Sequence, residues 1–344
     1  TKKIILAGCL LPADKQRYEA QIEIWSPDKY FNLSPLRQNK ITAFVPIMTG
    51  CNNFCSYCAV PFTRGPEKSR PAKEIIDEIK NLIKKGYKEI ILLGQNVNSY
   101  RSPALKKSDP KIDFAGLLKK IDALPGNFWL NFLTSHPKDM SDKLIKTIAQ
   151  SKKITPYIHL PIQSGDNEIL KKMNRRYKVE DYKILIKKIK SAFKKYRPSF
   201  PPPAITTDII VGFPGETKKQ FDNTAKLCQQ IGFDMIYFAQ YSPRPGTRAS
   251  YFKDNILPCE KKRRAQIINN ILQKTALKNN KKYIGKKVEV LIEEAKNGFL
   301  VGKTATGKTV YIKDCEKNKK IGHWIKTKIE NATSWGLKGK KLPN

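Results

Sequence analysis

Cys51, Cys55 and Cys58 stand at C-x3-C-x2-C spacing in the run GCNNFCSYC (50–58), with Tyr57 just before the last thiol. Three thiolates on one short loop can each hold one iron of a four-iron, four-sulfur (4Fe-4S) cluster. The fourth iron is then left without a protein ligand. An iron with an open site can bind and activate a small molecule, as an open zinc site does. A zinc site would instead draw its ligands from two paired groups, such as C-x2-C with a second C-x2-C or H-x3-H. Cys9, Cys228, Cys259 and Cys315 are isolated, and His136, His159 and His323 are far from one another in the chain. A disulfide scaffold does not suit 344 residues with an odd count of seven cysteines. The thiol loop therefore reads as a cluster site, with zinc or bystander thiols as the alternative. Reduced cysteines and an exposed cluster both call for a reducing compartment, the cytoplasm.

The elements that must position this loop alternate between strand and helix. Ile41–Ile47 reads as a strand that delivers the cysteines at its C-terminal end. Ala72–Lys85 has helical spacing, Lys88–Leu93 is β-rich, Phe114–Leu124 helical and Phe128–Leu133 strand-like. Met140–Gln150, Tyr157–Leu160, Val179–Tyr196, Ala204–Val211, Glu216–Ile231 and Phe233–Gln240 continue the alternation. The fold class is thus α/β, with a partial (β/α)6 barrel whose chemistry sits at the C-terminal ends of its strands. A helix over Pro258–Tyr283 leads to short strands at Lys287–Glu294, Phe299–Lys303, Thr309–Ile312 and Trp324–Glu330, split by glycines. These form a small antiparallel β-barrel of the oligonucleotide-binding sort. The expected domains are 1–40, a remnant whose beginning is absent, then 41–277 and 278–344.

Polar motifs fall at the expected strand ends. Gly94, Gln95 and Asn96 follow the second strand, where a small residue lets a cofactor approach the backbone; an ordinary turn is the alternative. Gln163 and Ser164 follow the fourth and face the mouth if the register is right. Asp208 is placed to bond a ribose hydroxyl or to cap a strand, and Gly212, Gly215 and Glu216 open a helix as cofactor contacts or as its cap. Arg64 and Arg70 would meet a phosphate or carboxylate, or be solvated. His136 and His159 read as structural, and Cys228, Cys259 and Cys315 as bystanders.

The formal net charge is +36. Residues 278–344 hold 17 lysines, no arginine and 6 acids, close to twice the positive density of 41–277. A basic surface favours polyanions by counterion release, although a lysine-rich composition would also raise charge everywhere. No apolar run reaches the length of a membrane span.

The runs GCNNFCSYCAVPFTRGPEKSRP (50–71), LLGQNVNSY (92–100), TSHP (134–137), HLPIQSG (159–165), TTDIIVGFPGET (206–217) and RPGT (244–247) resemble the MiaB-type tRNA methylthiotransferases of the radical S-adenosylmethionine (SAM) superfamily. The tail resembles their TRAM domain, and residues 1–40 the end of their N-terminal domain. The resemblance implies that Cys51, Cys55 and Cys58 hold a 4Fe-4S cluster. It also implies that SAM lies among Gly94, Gln95, Asn96, Gln163, Ser164, Asp208 and Gly212. The reaction implied is methylthiolation of carbon 2 of N6-isopentenyladenosine beside the anticodon. Alternatives are a threonylcarbamoyladenosine tRNA or ribosomal-protein substrate, or a catalytically incomplete tRNA-binding homologue. A second 4Fe-4S cluster belongs to the family pattern, and only Cys9 matches its ligands. Implied partners are tRNA, a flavodoxin- or ferredoxin-type electron donor and an unidentified sulfur donor, with no membrane and a monomeric chain.

Overall fold

The computed structural model describes residues 39–104, 111–198, 202–313 and 320–343, with residues 5–6, 8, 10, 12–18, 22–24, 31, 35 and 37 of the N-terminal stretch. Cys9 and Cys315 lie outside the described residues. Six parallel strands form the larger body: β1 (Thr42–Pro46), β2 (Glu89–Leu93), β3 (Trp129–Phe132), β4 (Tyr157–His159), β5 (Ala204–Val211) and β6 (Met235–Gln240). Helices α1 (Ala72–Lys84), α2 (Phe114–Asp122), α3 (Asp142–Gln150), α4 (Val179–Tyr196) and α5 (Lys218–Ile231) cover their outer face. Ala72, Ile75, Ile79 and Leu82 recur at three- and four-residue steps, so α1 buries one stripe against the sheet. Ile90, Leu92, Leu130, Ile205 and Val211 belong to the same core, fully or nearly fully buried. The expected (β/α)6 arc is present but split. The strands pair in two sets, β1–β2–β3 and β4–β5–β6, linked across the gap by an isolated bridge from Leu130 to Ile154.

Helix α6 (Pro258–Lys281) leads to β7 (Lys287–Lys296), β8 (Phe299–Thr304), β9 (Thr309–Lys313), β10 (Trp324–Ala332) and β11 (Leu337–Lys341). These close into a five-stranded barrel around Val290, Ile292, Leu300, Val310, Ile312, Ile329 and Leu337. One pair departs from the antiparallel expectation. β11, absent from the sequence reading, runs parallel to β9 and completes the closure.

The small barrel packs on the N-terminal ends of the large barrel's strands. Leu291 joins Ile41 and Trp129 in one apolar cluster, and the Trp129 and Trp324 rings meet edge-on at 6.1 Å. Lys303 Nζ lies 2.8 Å from Glu89 Oε2, and Lys308 Nζ lies 2.6 Å from Asp234 Oδ1. A Cβ on Gly307 would stand 2.8 Å from the Tyr157 ring, so that approach requires glycine. Ile41, Glu89, Trp129, Tyr157 and Asp234 all precede or begin their strands. The cysteine loop is at the opposite end.

Candidate functional site

The cysteine loop is closed at its base by a two-residue ladder. Met48 pairs with Ser69 and Thr49 with Lys68, antiparallel. Gly50 adopts φ +77, and a Cβ there would stand 2.0 Å from the Pro66 carbonyl oxygen. Only glycine permits that closure. Inside the loop the Cys51 amide donates to Gly65 O at 3.1 Å and the Cys58 amide to Cys55 O at 3.0 Å. Two neighbours fix it from outside. The Ser56 amide donates to Met173 O, and Ser56 O accepts from the Ala249 amide at 2.7 Å. Asn174 Nδ2 donates to Phe54 O at 2.7 Å. Cys51 and Cys55 are buried and Cys58 is half-buried. Burial pushes the Cys51 thiol up to about 11, and nearby Glu67 and Cys55 add to the shift against hydrogen bonding from Asn53.

A buried cation stands beside the loop, against Cys55. Arg175 is 7% exposed. Its guanidinium donates through Nη1 to Cys55 Sγ at 3.5 Å, through Nη2 to Pro161 O at 2.8 Å and through Nε to the Tyr177 hydroxyl at 2.7 Å. Sequence reasoning passed over Arg175. Nothing in composition separates it from Arg176, which is exposed.

The other strand ends supply polar groups with unmet hydrogen-bonding capacity. Thr49 Oγ1, Ser56 Oγ, Gln95 Oε1, Asn96 Oδ1 and Ser135 Oγ are buried without a hydrogen-bond partner in the protein. Orphaned buried oxygens carry a desolvation penalty of about 1–3 kcal/mol each. Collected at the ends of β1, β2 and β3, they fit a ligand bearing an ammonium group and a carboxylate, as SAM does. Asn96 also donates through Nδ2 to Asp139 Oδ2 at 2.8 Å. Beside the cysteine loop lies a cleft of about 630 Å³ bordered by Asn52, Glu67, Asn98, Ser99, Arg101 and Asp139. Three free thiols on one loop are the donor type that a cluster takes. Among the described residues no three His, Cys, Asp or Glu side chains converge to hold a single ion. A cluster does not require that convergence, since each thiolate binds a different iron.

The remaining candidates divide. Gln163 is buried with φ +76, and its backbone bridges to β5 through Asp208 O and the Ile210 amide. Ser164, expected at the mouth, is instead fully buried. Its Oγ sits 3.3 Å from Thr224 Oγ1 on α5, because Gly165 brings the two elements into backbone contact. Gly94 is small to admit Met48, whose Cγ would lie 2.5 Å from a Cβ there. Asp208 is partly exposed, with Oδ1 3.5 Å from His159 Nε2. Gly212 takes φ +69, and its amide donates to Glu216 Oε2 at 2.7 Å. Glu216 also pairs at 2.8 Å with buried Arg264 of α6. The helix cap is its neighbour Thr217, paired with Gln220, so Glu216 locks α6 to the β5 end. Arg70 is engaged by Glu78 at 2.8 Å and by the Pro46 carbonyl at 2.7 Å, which makes it a strut of the fold. His136 is buried, and its Nδ1 accepts from the Lys138 amide at 3.2 Å. Cys228 is buried and Cys259 exposed.

An arc of parallel strands with three thiols after its first strand defines the radical SAM class. The Radical SAM superfamily model matches residues 45–228, and the TRAM domain model matches residues 280–342. A tRNA-2-methylthio-N(6)-dimethylallyladenosine synthase from Clostridium novyi is 44% identical over 92% of this chain and 69% of its own length. The protein of that name from Clostridium tetani is 42% identical over 95% of this chain and 71% of its own. The one from Bacillus subtilis is 43% identical over 94% and 62%. The chain thus spans about two thirds of the length of these curated relatives. Among solved structures, the radical SAM methyltransferase TsrM from Kitasatospora setae aligns over 62% of this chain and 38% of that one, with 16% identity and a TM-score of 0.48. The chain belongs to the radical SAM methylthiotransferase family of tRNA-2-methylthio-N(6)-dimethylallyladenosine synthases. Enzymes of this family use a 4Fe-4S cluster and SAM.

Proposed function

We propose that this protein places a methylthio group on carbon 2 of N6-isopentenyladenosine next to the anticodon of tRNA. The observation that carries the reading is the thiol loop facing unpaired polar groups at one end of the parallel arc, in a chain 42–46% identical to synthases of that name. Cys51, Cys55 and Cys58 would hold the cluster, and Gln95, Asn96 and the hydroxyls of Thr49 and Ser135 would receive SAM. Bound there, cluster and SAM supply a radical able to open an unactivated C–H bond. The protein's own part is positional. Arg175 compensates the thiolate of Cys55, Gly50 closes the loop, and Gly212 with Glu216 fixes the end of β5 beside Asp208. The three-part organisation is 1–40, 41–277 and 278–344.

The tail supports tRNA as the substrate. Lys287 stands opposite Lys328, and Lys328 stands opposite Lys340. All three are exposed. Like charges directly opposite on a sheet repel, so this row of lysines is stabilised by a polyanion such as an RNA backbone. A basic ribosomal protein would be repelled. No helix among the described residues is long and apolar enough to cross a membrane. We further propose a monomeric cytoplasmic enzyme reduced by a small flavodoxin- or ferredoxin-type protein. Incubation of reconstituted protein with isopentenylated tRNA, SAM and dithionite, followed by nucleoside mass spectrometry, tests the reading. A methylthio mass gain on the modified adenosine is expected. Deoxyadenosine release with unchanged tRNA would point instead to an incomplete homologue.

A further inference from the structure

We propose that Arg175 is a positioning residue that raises the reduction potential of the cluster by holding the Cys55 sulfur. The inference rests on the reading of Cys51, Cys55 and Cys58 as cluster ligands. Among the described residues no carboxylate forms an ion pair with Arg175. Its partners are a sulfur at 3.5 Å, a carbonyl at 2.8 Å and a phenol at 2.7 Å. A buried guanidinium is costly unless a negative charge answers it. An iron-bound sulfur at Cys55, 3.5 Å from the guanidinium, would answer it.

The consequence for the cluster is directional. One-electron reduction adds one negative charge to the iron–sulfur unit. A fixed cation against a ligand sulfur, shielded from water, favours the more negative state. Hydrogen bonds to cluster sulfurs and low solvent exposure are among the factors that set such potentials. Arg175 would thereby act on the electron that starts the reaction through the Cys55 sulfur. The same fork ties the cluster to the turn that carries Gln163. Pro161 O accepts from Arg175, and the Tyr177 hydroxyl donates to Ile162 O at 2.9 Å. The arginine–tyrosine contact is itself close, with the guanidinium carbon 5.1 Å from the ring centroid.

The test compares wild type with Arg175→Met, Arg175→Gln and Arg175→Lys after anaerobic reconstitution. Iron content and circular dichroism establish the cluster and the fold. Electron paramagnetic resonance in a redox titration with dithionite reads the reduced fraction. The Met and Gln variants should keep full iron, and their reduced-to-oxidised ratio at fixed potential should fall about tenfold, equal to about 59 mV for a one-electron couple. Arg175→Lys, which keeps the charge, should recover most of that loss. Full iron with an unchanged midpoint in the Met variant overturns the proposal. So does loss of iron in the Met, Gln and Lys variants alike with the fold intact, which would assign Arg175 to cluster assembly. A wild-type protein without cluster or deoxyadenosine formation sinks the underlying cluster reading instead.

Discussion

Lys303 Nζ meets Glu89 Oε2 at 2.8 Å, tying the second strand of the small barrel to the first residue of the large barrel's second strand. Glu89 is 2% exposed, and its other partner is the Thr42 hydroxyl at 2.9 Å. Glu293 lies 2.7 Å from the same ammonium. The C-terminal barrel thus plugs the end of the large barrel remote from the thiols, besides presenting lysines outward.

Removing Lys303 would leave a buried carboxylate unanswered. Lys303→Met should destabilise the protein by about 3 kcal/mol, while Glu89→Gln with Lys303→Met should recover part of that loss, since no charge then remains buried. Urea unfolding of the single and double variants checks this. Equal stability of Lys303→Met and wild type would show that the contact contributes nothing. The plug also means that deleting 278–344 exposes Ile41 and Trp129, so point variants are the cleaner probe of RNA binding.

Those variants are Lys287→Glu, Lys328→Glu and Lys340→Glu. Each lost phosphate contact should lower the slope of log affinity against log salt by about 0.7–0.9. Binding of tRNA to the triple variant should weaken sharply at low salt, with reductive cleavage of SAM unchanged. Identical affinities and identical slopes across a salt series would remove this face from the RNA path.

Much of this architecture was legible because long elements carry strong periods. Val179–Tyr196 and Ala204–Val211 fall where apolar spacing places them. Leu337–Lys341 was not legible, because Leu-Lys-Gly-Lys-Lys has little β propensity, and its pairing comes from the edges of two strands already in place. The gap between β3 and β4 was hidden for a similar reason: strand pairing is a tertiary fact. At the site the thiol loop announced itself by spacing. Ser164 misled because the fold of Gly165 against Thr224, which turns it inward, leaves no trace in local polarity. Arg175 looked like any other cation in a lysine-rich chain until its burial was seen.

The cluster count follows from ligand arithmetic. Cys51, Cys55 and Cys58 should bind about four irons per chain, and their joint replacement by alanine should abolish nearly all of it. Iron and acid-labile sulfide assays on anaerobically reconstituted protein measure this. Substantial iron remaining in the triple variant would mean that Cys9 and other thiols build a second site.

His136 gives the fold a pH response with a defined sign. Burial, then the nearby charges of Arg175 and Lys138, push its imidazole down to about 2. The native ring is therefore neutral at pH values where an unfolded histidine, near 6.5, takes up a proton. A depressed folded value means that stability is fully present above about pH 6.5 and is lost as pH falls below it. Between pH 7 and pH 5.5 the loss from this one group should be about 1 kcal/mol. His136→Asn keeps an acceptor for the Lys138 amide and removes the titration, so its stability should fall less over the same interval. Chemical denaturation of both proteins without cluster, at pH 7 and 5.5, gives the comparison. Parallel pH dependence in the two would show that His136 is protonated in the folded protein after all.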